Sequence, residues 1–125
     1  MSSILKAAIL GIGSYLPEKR LTNADLERMV DTSDEWIVQR TGIRERRIAS
    51  ADQATSDLSL QASLAALRSA GLAPGDLDMI IVATATPDTQ TPSTACWLQA
   101  KLEAGRCAAM DIGAACSGFL YGLSL

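Results

Sequence analysis

The chain has 125 residues, of which 48% are apolar, and it carries 11 Lys and Arg against 14 Asp and Glu. A length of this order predicts one domain with an apolar core, and the formal charge of −3 argues against a nucleic-acid-binding protein. The sequence contains no histidine, so these residues alone cannot assemble a Ser-His-Asp or Cys-His catalytic site, and we expect no metal centre.

Cysteine usage and hydropathy predict where the protein works. Three cysteines without a close pair favour free thiols in a reducing compartment, which predicts a cytoplasmic protein. Residues 1–6 lack the features of a signal peptide, and no apolar run approaches the roughly 18 residues of a membrane span. We therefore expect a soluble protein that binds neither membranes nor nucleic acid.

The first predicted element is a buried strand. Residues 5–12 form a short apolar run that contains Gly11 and continues to Gly13, a pattern typical of a strand followed by a tight turn. A dinucleotide-binding loop would need a further glycine where Leu16 stands. We therefore interpret the two glycines as a structural turn.

Two short helices are predicted next. Thr22 is a favourable N-cap for an amphipathic helix over residues 24–30. Ser33 is a favourable cap for a second helix, which Gly42 is expected to end.

Basic residues cluster on and after the second helix. Trp36 and Arg40 are four residues apart, which predicts that they share a helix face. Further arginines follow in a predicted exposed strand or loop over residues 43–48: Arg44, Arg46 and Arg47. The residues alone allow a solvated face with salt bridges to Glu35 and Glu45, or a phosphate-binding site.

The remaining sequence alternates helices and strands. The predicted order is a helix over residues 56–70, a strand over 79–84, a helix over 93–103 and a strand over 107–112. This alternation predicts an α/β layered fold with a mostly parallel sheet. The final apolar run is helical in pattern and reaches Leu125 without a cap, which suggests a chain cut within a helix.

The three cysteines are distinguished by their predicted positions. Cys96 and Cys107 lie within a helix and at the start of a strand, where buried thiols are common. Cys116 lies between a buried strand and a helix start, where backbone N–H groups stabilise a thiolate and can hold an oxyanion. The residues alone leave both a nucleophile and a packing cysteine open for Cys116.

Residues 114–119, AACSGF, resemble the nucleophile region of the β-ketoacyl-acyl carrier protein synthase III family. Other segments resemble that family in order and spacing, namely residues 11–17, 22–26, 31–37 and 40–46. The resemblance covers nearly the whole chain. It implies that residues 1–125 form the N-terminal αβαβα half of a thiolase-like domain with a mostly parallel mixed sheet.

The resemblance also implies roles for individual residues. Cys116 matches the nucleophile that takes an acyl group from acyl-CoA before condensation with malonyl-acyl carrier protein, the step that initiates fatty-acid synthesis. Trp36 matches the aromatic residue that stacks on the CoA adenine, Arg40 a CoA phosphate or adenine contact, and Thr32 a further CoA contact. Acyl-CoA is a substrate, so no cofactor is implied, and a homodimer is expected.

The chain departs from the family pattern in two respects. Thr91 stands where the family usually has a phenylalanine that lines the partner subunit's acyl pocket, which suggests a longer or branched acyl group. The histidine and asparagine that activate malonyl-acyl carrier protein lie in a second half, so we expect these 125 residues alone to be inactive in condensation.

Two other functions remain open at this stage. One is a related enzyme of secondary metabolism that starts a polyketide or a quinolone with the same nucleophile. The other is a non-catalytic acyl-CoA-binding module. Retention of Cys116, Trp36 and Arg40 together argues against the second.

Overall fold

The computed structural model describes residues 7–125, which divide into two compact units. The small unit is Leu16–Gln53. The large unit consists of Ala54–Leu125 together with the segment that precedes Leu16.

The small unit contains two strands and two helices. In chain order these are β1 (Lys19–Thr22), α1 (Asn23–Glu27), α2 (Asp34–Thr41) and β2 (Glu45–Ile48). The strands pair in antiparallel register, with Lys19 opposite Ile48 and Thr22 opposite Glu45. Of the exposed strand or loop predicted over residues 43–48, Glu45–Ile48 form a strand, and its last three residues are partly buried rather than exposed.

The predicted helix caps of the small unit are confirmed. Thr22 forms a capping box with Asp25, and the Ser33 hydroxyl accepts the Trp36 N–H at 3.1 Å. Gly42 ends α2 with a φ of 71°, a left-handed conformation that glycine adopts without steric cost.

The predicted extent of the first helix, residues 24–30, is wrong at its end. The structure ends α1 at Glu27, and the N–H groups of Met29 and Val30 both bond to the carbonyl of Leu26. Met29 and Val30 are exposed, so continuing the helix would bury neither of these apolar side chains.

One buried amide connects most of the small unit. Asn23 is 2% exposed, and its Nδ2 donates to Asp34 Oδ1 at 2.7 Å and to the Ile43 carbonyl at 2.8 Å. Its Oδ1 accepts from Arg46 Nη1 at 2.7 Å. The amide thus satisfies both donors and its acceptor while linking α1 to the start of α2 and to β2.

The large unit contains the predicted alternation of helices and strands. In chain order its elements are α3 (Thr55–Ala70), β3 (Met79–Ala83), α4 (Thr94–Leu102), β4 (Ala108–Ile112) and α5 (Gly118–Ser124). Strands β3 and β4 are parallel, with Met79 opposite Ala108 and Ala83 opposite Ile112. The predicted α/β class and parallel pairing are confirmed.

The core of the large unit lies where α3 and α4 pack beside β3. Its buried members are Leu67, Ile80, Val82, Ala95, Leu98, Leu102 and Ala104. Full burial of one leucine or isoleucine side chain contributes about 1.5–3 kcal/mol, so this cluster dominates the packing of the unit.

The prediction of a buried strand over residues 5–12 is wrong for its described part. Residues 5 and 6 lie outside the described residues, and residues 7–12 form no strand within the described part of the chain. Ile9, Leu10 and Ile12 are 68%, 68% and 77% exposed. These apolar side chains are exposed because residues 7–12 pair with no strand among the described residues.

The tight turn predicted at Gly11 and Gly13 is also wrong, because both glycines serve close packing. A Cβ on Gly11 would lie 2.5 Å from the Ala66 carbonyl oxygen, and one on Gly13 would collide with the Ala62 carbonyl. The missing side chains therefore let this segment run directly along the backbone of α3.

Candidate functional site

Cys116 lies at the carboxyl end of β4, in the turn that leads into α5. Strand β4 ends at Ile112, a 3₁₀ turn follows over Ala115–Ser117, and α5 starts at Gly118. The Cys116 side chain is exposed. The predicted position between a strand and a helix start is confirmed, and the thiol is open to a reactant from solution.

The backbone on both sides of Cys116 is constrained. Ala115 adopts a φ of 44°, a left-handed conformation that costs an alanine roughly 1–2 kcal/mol. On the other side, a Cβ on Gly118 would lie 3.1 Å from the Ala83 Cβ, so glycine lets α5 begin close against β3. Strain and close packing together fix the turn that carries Cys116.

An open cavity of about 760 Å³ lies beside this turn. The segment between β3 and α4 contributes Thr84, Ala85, Pro87, Thr89, Gln90 and Ser93 to its lining. The β4 side contributes Ala109, Met110 and Asp111, followed by Gly113 and Ala115. The cavity thus adjoins the residues that lead to Cys116.

The other two cysteines are less accessible. Cys96 and Cys107 are partly buried. The Ser93 hydroxyl donates to Cys96 Sγ at 3.2 Å, and Gln99 Nε2 lies 3.5 Å from Cys107 Sγ. Exposure therefore distinguishes Cys116 from both, as their sequence positions predicted.

In the small unit, Trp36 and Arg40 form the predicted pair on one face of α2. Arg40 Cζ lies 4.9 Å from the centroid of the Trp36 ring, within the range of a cation–π interaction. Trp36 is nevertheless 54% exposed. An aromatic surface and a guanidinium group are therefore presented together to solvent.

Thr32 lies beside the same indole ring. A shallow pocket of about 370 Å³ is lined by Asp31, Thr32, Ser33 and Trp36. Thr32 is half-buried. The structure thus brings together the three sequence-predicted residues of the small unit.

Two of the other arginines of the basic cluster, Arg46 and Arg47, have structural partners. Arg46 donates to the buried Asn23, and Arg47 donates to the Pro17 carbonyl at 2.9 Å and lies 3.6 Å from Glu45. The predicted salt bridge to Glu45 is confirmed. Glu35 instead accepts from Gln39 Nε2 at 3.1 Å.

Thr91 is exposed in the segment between β3 and α4, and its peptide bond to Pro92 is cis. A buried network anchors this segment through Asp88. The Asp88 carboxylate accepts from Ser56 N at 2.9 Å and from Ser56 Oγ at 2.5 Å, and the Asp88 N–H donates to Thr94 Oγ1 at 3.1 Å. Ser56 and Thr94 are both fully buried.

Asp111 and Lys101 extend this network. The Asp111 carboxylate caps α4 by accepting the N–H groups of Thr94 and Ala95, each at 2.8 Å. Lys101 Nζ donates to Ser56 Oγ at 2.7 Å and to Asp57 at 2.5 Å. The ammonium group, followed by the Ala54 N–H, holds the pKa of Asp57 below its ordinary value.

Sequence reasoning missed this network. Its partners Ser56 and Asp88 are 32 positions apart, and Lys101 is 45 positions from Ser56. The available signal was local: an acidic residue soon after a buried parallel strand can cap a neighbouring helix.

The described residues offer neither a metal-binding cluster nor a membrane-spanning helix. Within residues 7–125, no group of three or more His, Cys, Asp and Glu side chains is arranged to hold a metal ion. No helix in that range has the length and apolar character that crossing a bilayer requires.

Comparison with known proteins gives close relatives over the whole chain, although no family model matches. A β-ketoacyl-[acyl-carrier-protein] synthase III from Caldanaerobacter subterraneus subsp. tengcongensis is 65% identical over 125 residues, which are 100% of this chain and 38% of that protein. The crystal structure of 3-oxoacyl-[acyl-carrier-protein] synthase III from Aquifex aeolicus VF5 matches with a TM-score of 0.90 and 56% identity, over 93% of this chain and 37% of that one.

A third match is the crystal structure of the priming β-ketosynthase from the R1128 polyketide biosynthetic pathway. Its TM-score is 0.89 at 38% identity, over 93% of this chain and 35% of that one. The chain spans about 38% of the length of the curated relatives it matches. The predicted thiolase-like fold is confirmed by these structural neighbours. Over its whole length the chain is similar to the N-terminal part of β-ketoacyl-[acyl-carrier-protein] synthase III proteins.

Proposed function

We propose that these residues are the acyl-loading part of a longer condensing enzyme. Cys116 takes an acyl group from acyl-CoA, and the acyl group is then joined to malonyl-acyl carrier protein to give 3-oxoacyl-acyl carrier protein. The observation that carries the proposal is the exposed Cys116 at the end of β4, in a chain 65% identical to a synthase III.

The loading step follows from thioester chemistry. The Cys116 thiolate attacks the thioester carbonyl, a new carbon–sulfur bond forms, and CoA leaves as its thiolate. The strained Ala115 and the tightly packed Gly118 hold the turn still, which limits the reorganisation needed during attack. Acyl-CoA is a substrate in this scheme, and no cofactor takes part.

In the same proposal, the small unit binds the nucleotide end of acyl-CoA. The half-exposed Trp36 ring offers a stacking surface for adenine, and the Arg40 guanidinium offers charge-assisted hydrogen bonds to a phosphate. Thr32 lines the adjoining pocket and supplies a hydroxyl group. Arg46 and Arg47 are excluded from this role because their side chains hold β2 in place.

The test uses a completed synthase, defined as residues 1–125 of this chain followed by the remainder of the Caldanaerobacter protein. Incubation with acetyl-CoA should add one acetyl group, and peptide mapping by mass spectrometry should place it on Cys116. Addition of malonyl-acyl carrier protein should release 3-oxoacyl-acyl carrier protein. Absence of the acyl adduct on Cys116 would contradict the proposal.

The 125 residues by themselves should not carry out the condensation. The sequence has no histidine to assist activation of the malonyl thioester. Turnover of radiolabelled malonyl-acyl carrier protein by this chain alone would contradict that expectation. The proposal also includes a cytoplasmic location, which cell fractionation would test. It includes a homodimer as well, and sedimentation of the completed synthase would test that oligomeric state.

The choice of acyl group is a separate part of the proposal. Thr91 has a smaller side chain than the phenylalanine usual at this position, which favours a longer or branched acyl group. Thr91→Phe in the completed synthase should shift the acyl-CoA profile towards acetyl-CoA. Identical chain-length profiles for the native and substituted enzymes would refute this role for Thr91.

A second candidate function is priming of a polyketide, which the similarity to the R1128 priming β-ketosynthase favours. The loading chemistry at Cys116 would be the same. Competition between a fatty-acid carrier protein and a polyketide carrier protein, each charged with malonate, would distinguish the two. Preference for the fatty-acid carrier supports the first function, and the reverse preference supports the second.

A further inference from the structure

Helix α2 carries the Trp36–Arg40 pair, yet little apolar packing holds the helix in place. Of its eight residues, all of which the structure describes, Ile37 alone is buried. An isolated helix shorter than about 12–15 residues is only marginally stable in water. The position of α2 therefore depends on hydrogen bonds to neighbouring elements.

Helix α1 holds the first residue of α2 at two atoms. Glu27, at the end of α1, accepts the Asp34 N–H through Oε1 at 2.6 Å. Asn23, at the start of α1, donates from Nδ2 to Asp34 Oδ1 at 2.7 Å. The two ends of one helix thus bind the backbone and the side chain of the same residue. Together these bonds fix where α2 begins and in which direction it runs.

The Asn23 amide also binds the chain beyond the other end of α2. Its Nδ2 donates to the carbonyl of Ile43 at 2.8 Å, and Ile43 directly follows the Gly42 cap. One nitrogen thus joins the first residue of α2 to the segment that leaves the helix. Because this side chain is 2% exposed and both of its donors are used, it has little freedom to move.

The first turn of α2 is also the part closest to the residues proposed to bind CoA. Trp36 lies two positions after Asp34, and the Ser33 hydroxyl accepts its N–H at 3.1 Å. Thr32 lines a pocket with Trp36, and Arg40 lies one turn further along the helix. A tilt of α2 at Asp34 would therefore move the indole ring and the guanidinium group together, away from Thr32.

We propose that Glu27 and Asn23 are positioning residues for the binding of acyl-CoA. They hold α2 in the orientation in which Trp36 and Arg40 face the nucleotide together. Without these bonds α2 adopts other orientations, and the apparent affinity falls with the fraction of molecules that can bind. The inference rests on the proposed function, because it assumes that the small unit binds CoA.

The experiment uses exposed positions, so each variant of the completed synthase is expected to fold. Glu27→Ala removes the acceptor of the Asp34 N–H, and Asp34→Ala removes the acceptor of the Asn23 amide. Glu27→Gln is the conservative variant, because it keeps an Oε1 acceptor. The matched control is Glu45→Ala, which removes a carboxylate whose ion-pair partners lie on β1 and β2. The Kd for CoA is measured by calorimetry, and kcat is measured with acetyl-CoA.

Glu27→Ala and Asp34→Ala should each raise the Kd for CoA by about two- to tenfold, the range for losing one hydrogen bond. The value of kcat at saturation should stay near that of the native synthase, and Glu27→Gln and Glu45→Ala should keep the native Kd. Loss of negative charge alone predicts the opposite, because the anionic CoA would bind both Glu27 variants more tightly. An unchanged Kd in either Glu27→Ala or Asp34→Ala, or an equal rise in Glu45→Ala, would overturn the inference.

A double variant tests whether Glu27 acts through Trp36. Trp36→Ala removes the stacking surface, so the orientation of α2 has less influence on binding in that background. Glu27→Ala should then raise the Kd by a smaller factor than it does when Trp36 is present. Equal factors in the two backgrounds would show that Glu27 affects binding by another route, and would overturn the positioning role.

A second measurement separates this inference from the proposed function. If the native completed synthase neither binds CoA nor forms an acyl-enzyme, the proposed function fails. Amide hydrogen exchange across Asp34–Thr41 then still tests, without any substrate, whether Glu27 holds α2. Faster exchange in Glu27→Ala than in Glu45→Ala supports the positioning role, and equal exchange rates overturn it.

Discussion

In the small unit a side-chain amide lies at the centre of the fold, whereas the large unit is centred on leucine, isoleucine and valine. Asn23 makes three hydrogen bonds, to Asp34, Ile43 and Arg46, and the structure describes only two buried apolar residues there, Pro17 and Ile37. Hydrogen bonds have defined directions, so they fix orientation with little buried area, whereas apolar packing is non-directional and shares its contribution among many residues.

This difference matches what each unit presents to solvent. The small unit holds Trp36 and Arg40 exposed on one helix face. These two side chains need a defined orientation, but they need little buried apolar packing beneath them. The large unit holds Cys116 in a strained turn, which requires a rigid strand and helix to sustain it. Changes in the small unit should therefore alter acyl-CoA affinity, and changes in the large unit should alter the chemical step.

The largest expected effect is on the chemical step. Cys116→Ala in the completed synthase should lower kcat for condensation by at least about a thousandfold, because no acyl-enzyme can form. Binding of CoA, measured by calorimetry, should be unchanged. Cys96→Ala and Cys107→Ala are the controls, and a similar loss of activity in either would contradict the distinction drawn from exposure.

A smaller effect is expected in the small unit. Trp36→Ala should raise KM for acyl-CoA by about five- to a hundredfold, since base stacking on an aromatic side chain contributes about 1–3 kcal/mol. The rate of acyl transfer at saturation should change little. The control is Arg28→Ala, which removes an exposed side chain of the same unit that has no proposed role in binding CoA. A fall in kcat without a rise in KM would contradict the assignment of acyl-CoA binding to the small unit and of the chemical step to the large unit.

The amide centre of the small unit can be tested by one substitution. Asn23→Ala leaves Arg46 and the Ile43 carbonyl without their partner, at a cost of about 1–3 kcal/mol. Hydrogen exchange should accelerate across α2 and β2, and labelling of Cys116 by iodoacetamide should keep its native rate. Faster exchange across β3 and β4 to the same degree would show that the units are not independent.

The sequence predicts features that depend on neighbours along the chain. The caps at Thr22 and Ser33 and the stop at Gly42 are set by hydrogen bonds within four residues, so local chemistry suffices. The pairing of Trp36 with Arg40 follows from helix geometry alone. The alternation of helices and strands in the large unit can be predicted as well, because hydrophobic periodicity is also a property of neighbouring residues.

Features that depend on distant partners could not be predicted in this way. The sequence gives no sign of the role of Asn23, because its side-chain partners are 11, 20 and 23 positions away. Gly11 looks like a turn residue, and only the neighbouring backbone of α3 shows that it serves a close approach. The candidate role of Cys116 came from family motifs, since its residues alone left a packing role open.

The smallest expected effect concerns two aspartates with lowered pKa, one in each unit. Lys101 is the main cause for Asp57, whereas the Thr22 hydroxyl and N–H groups are the main cause for Asp25. A lowered folded-state pKa stabilises the protein above the unfolded pKa of about 3.9, and this stabilisation is lost as pH falls through the folded value. The Tm differences between native protein and Asp57→Asn or Asp25→Asn should therefore be full at pH 6–7 and shrink below about pH 4.

Salt should then distinguish the two aspartates. At about 1 M salt the Debye length falls to roughly 3 Å, which weakens a partly exposed ion pair more than bonds from neutral donors. The Tm difference for Asp57→Asn should shrink with salt at pH 7, because the Asp57 side chain is 35% exposed beside the Lys101 ammonium. The difference for Asp25→Asn should persist, since neutral Thr22 groups bind that carboxylate. Equal salt sensitivity would mean that the exposed Arg28, rather than the Thr22 cap, governs Asp25.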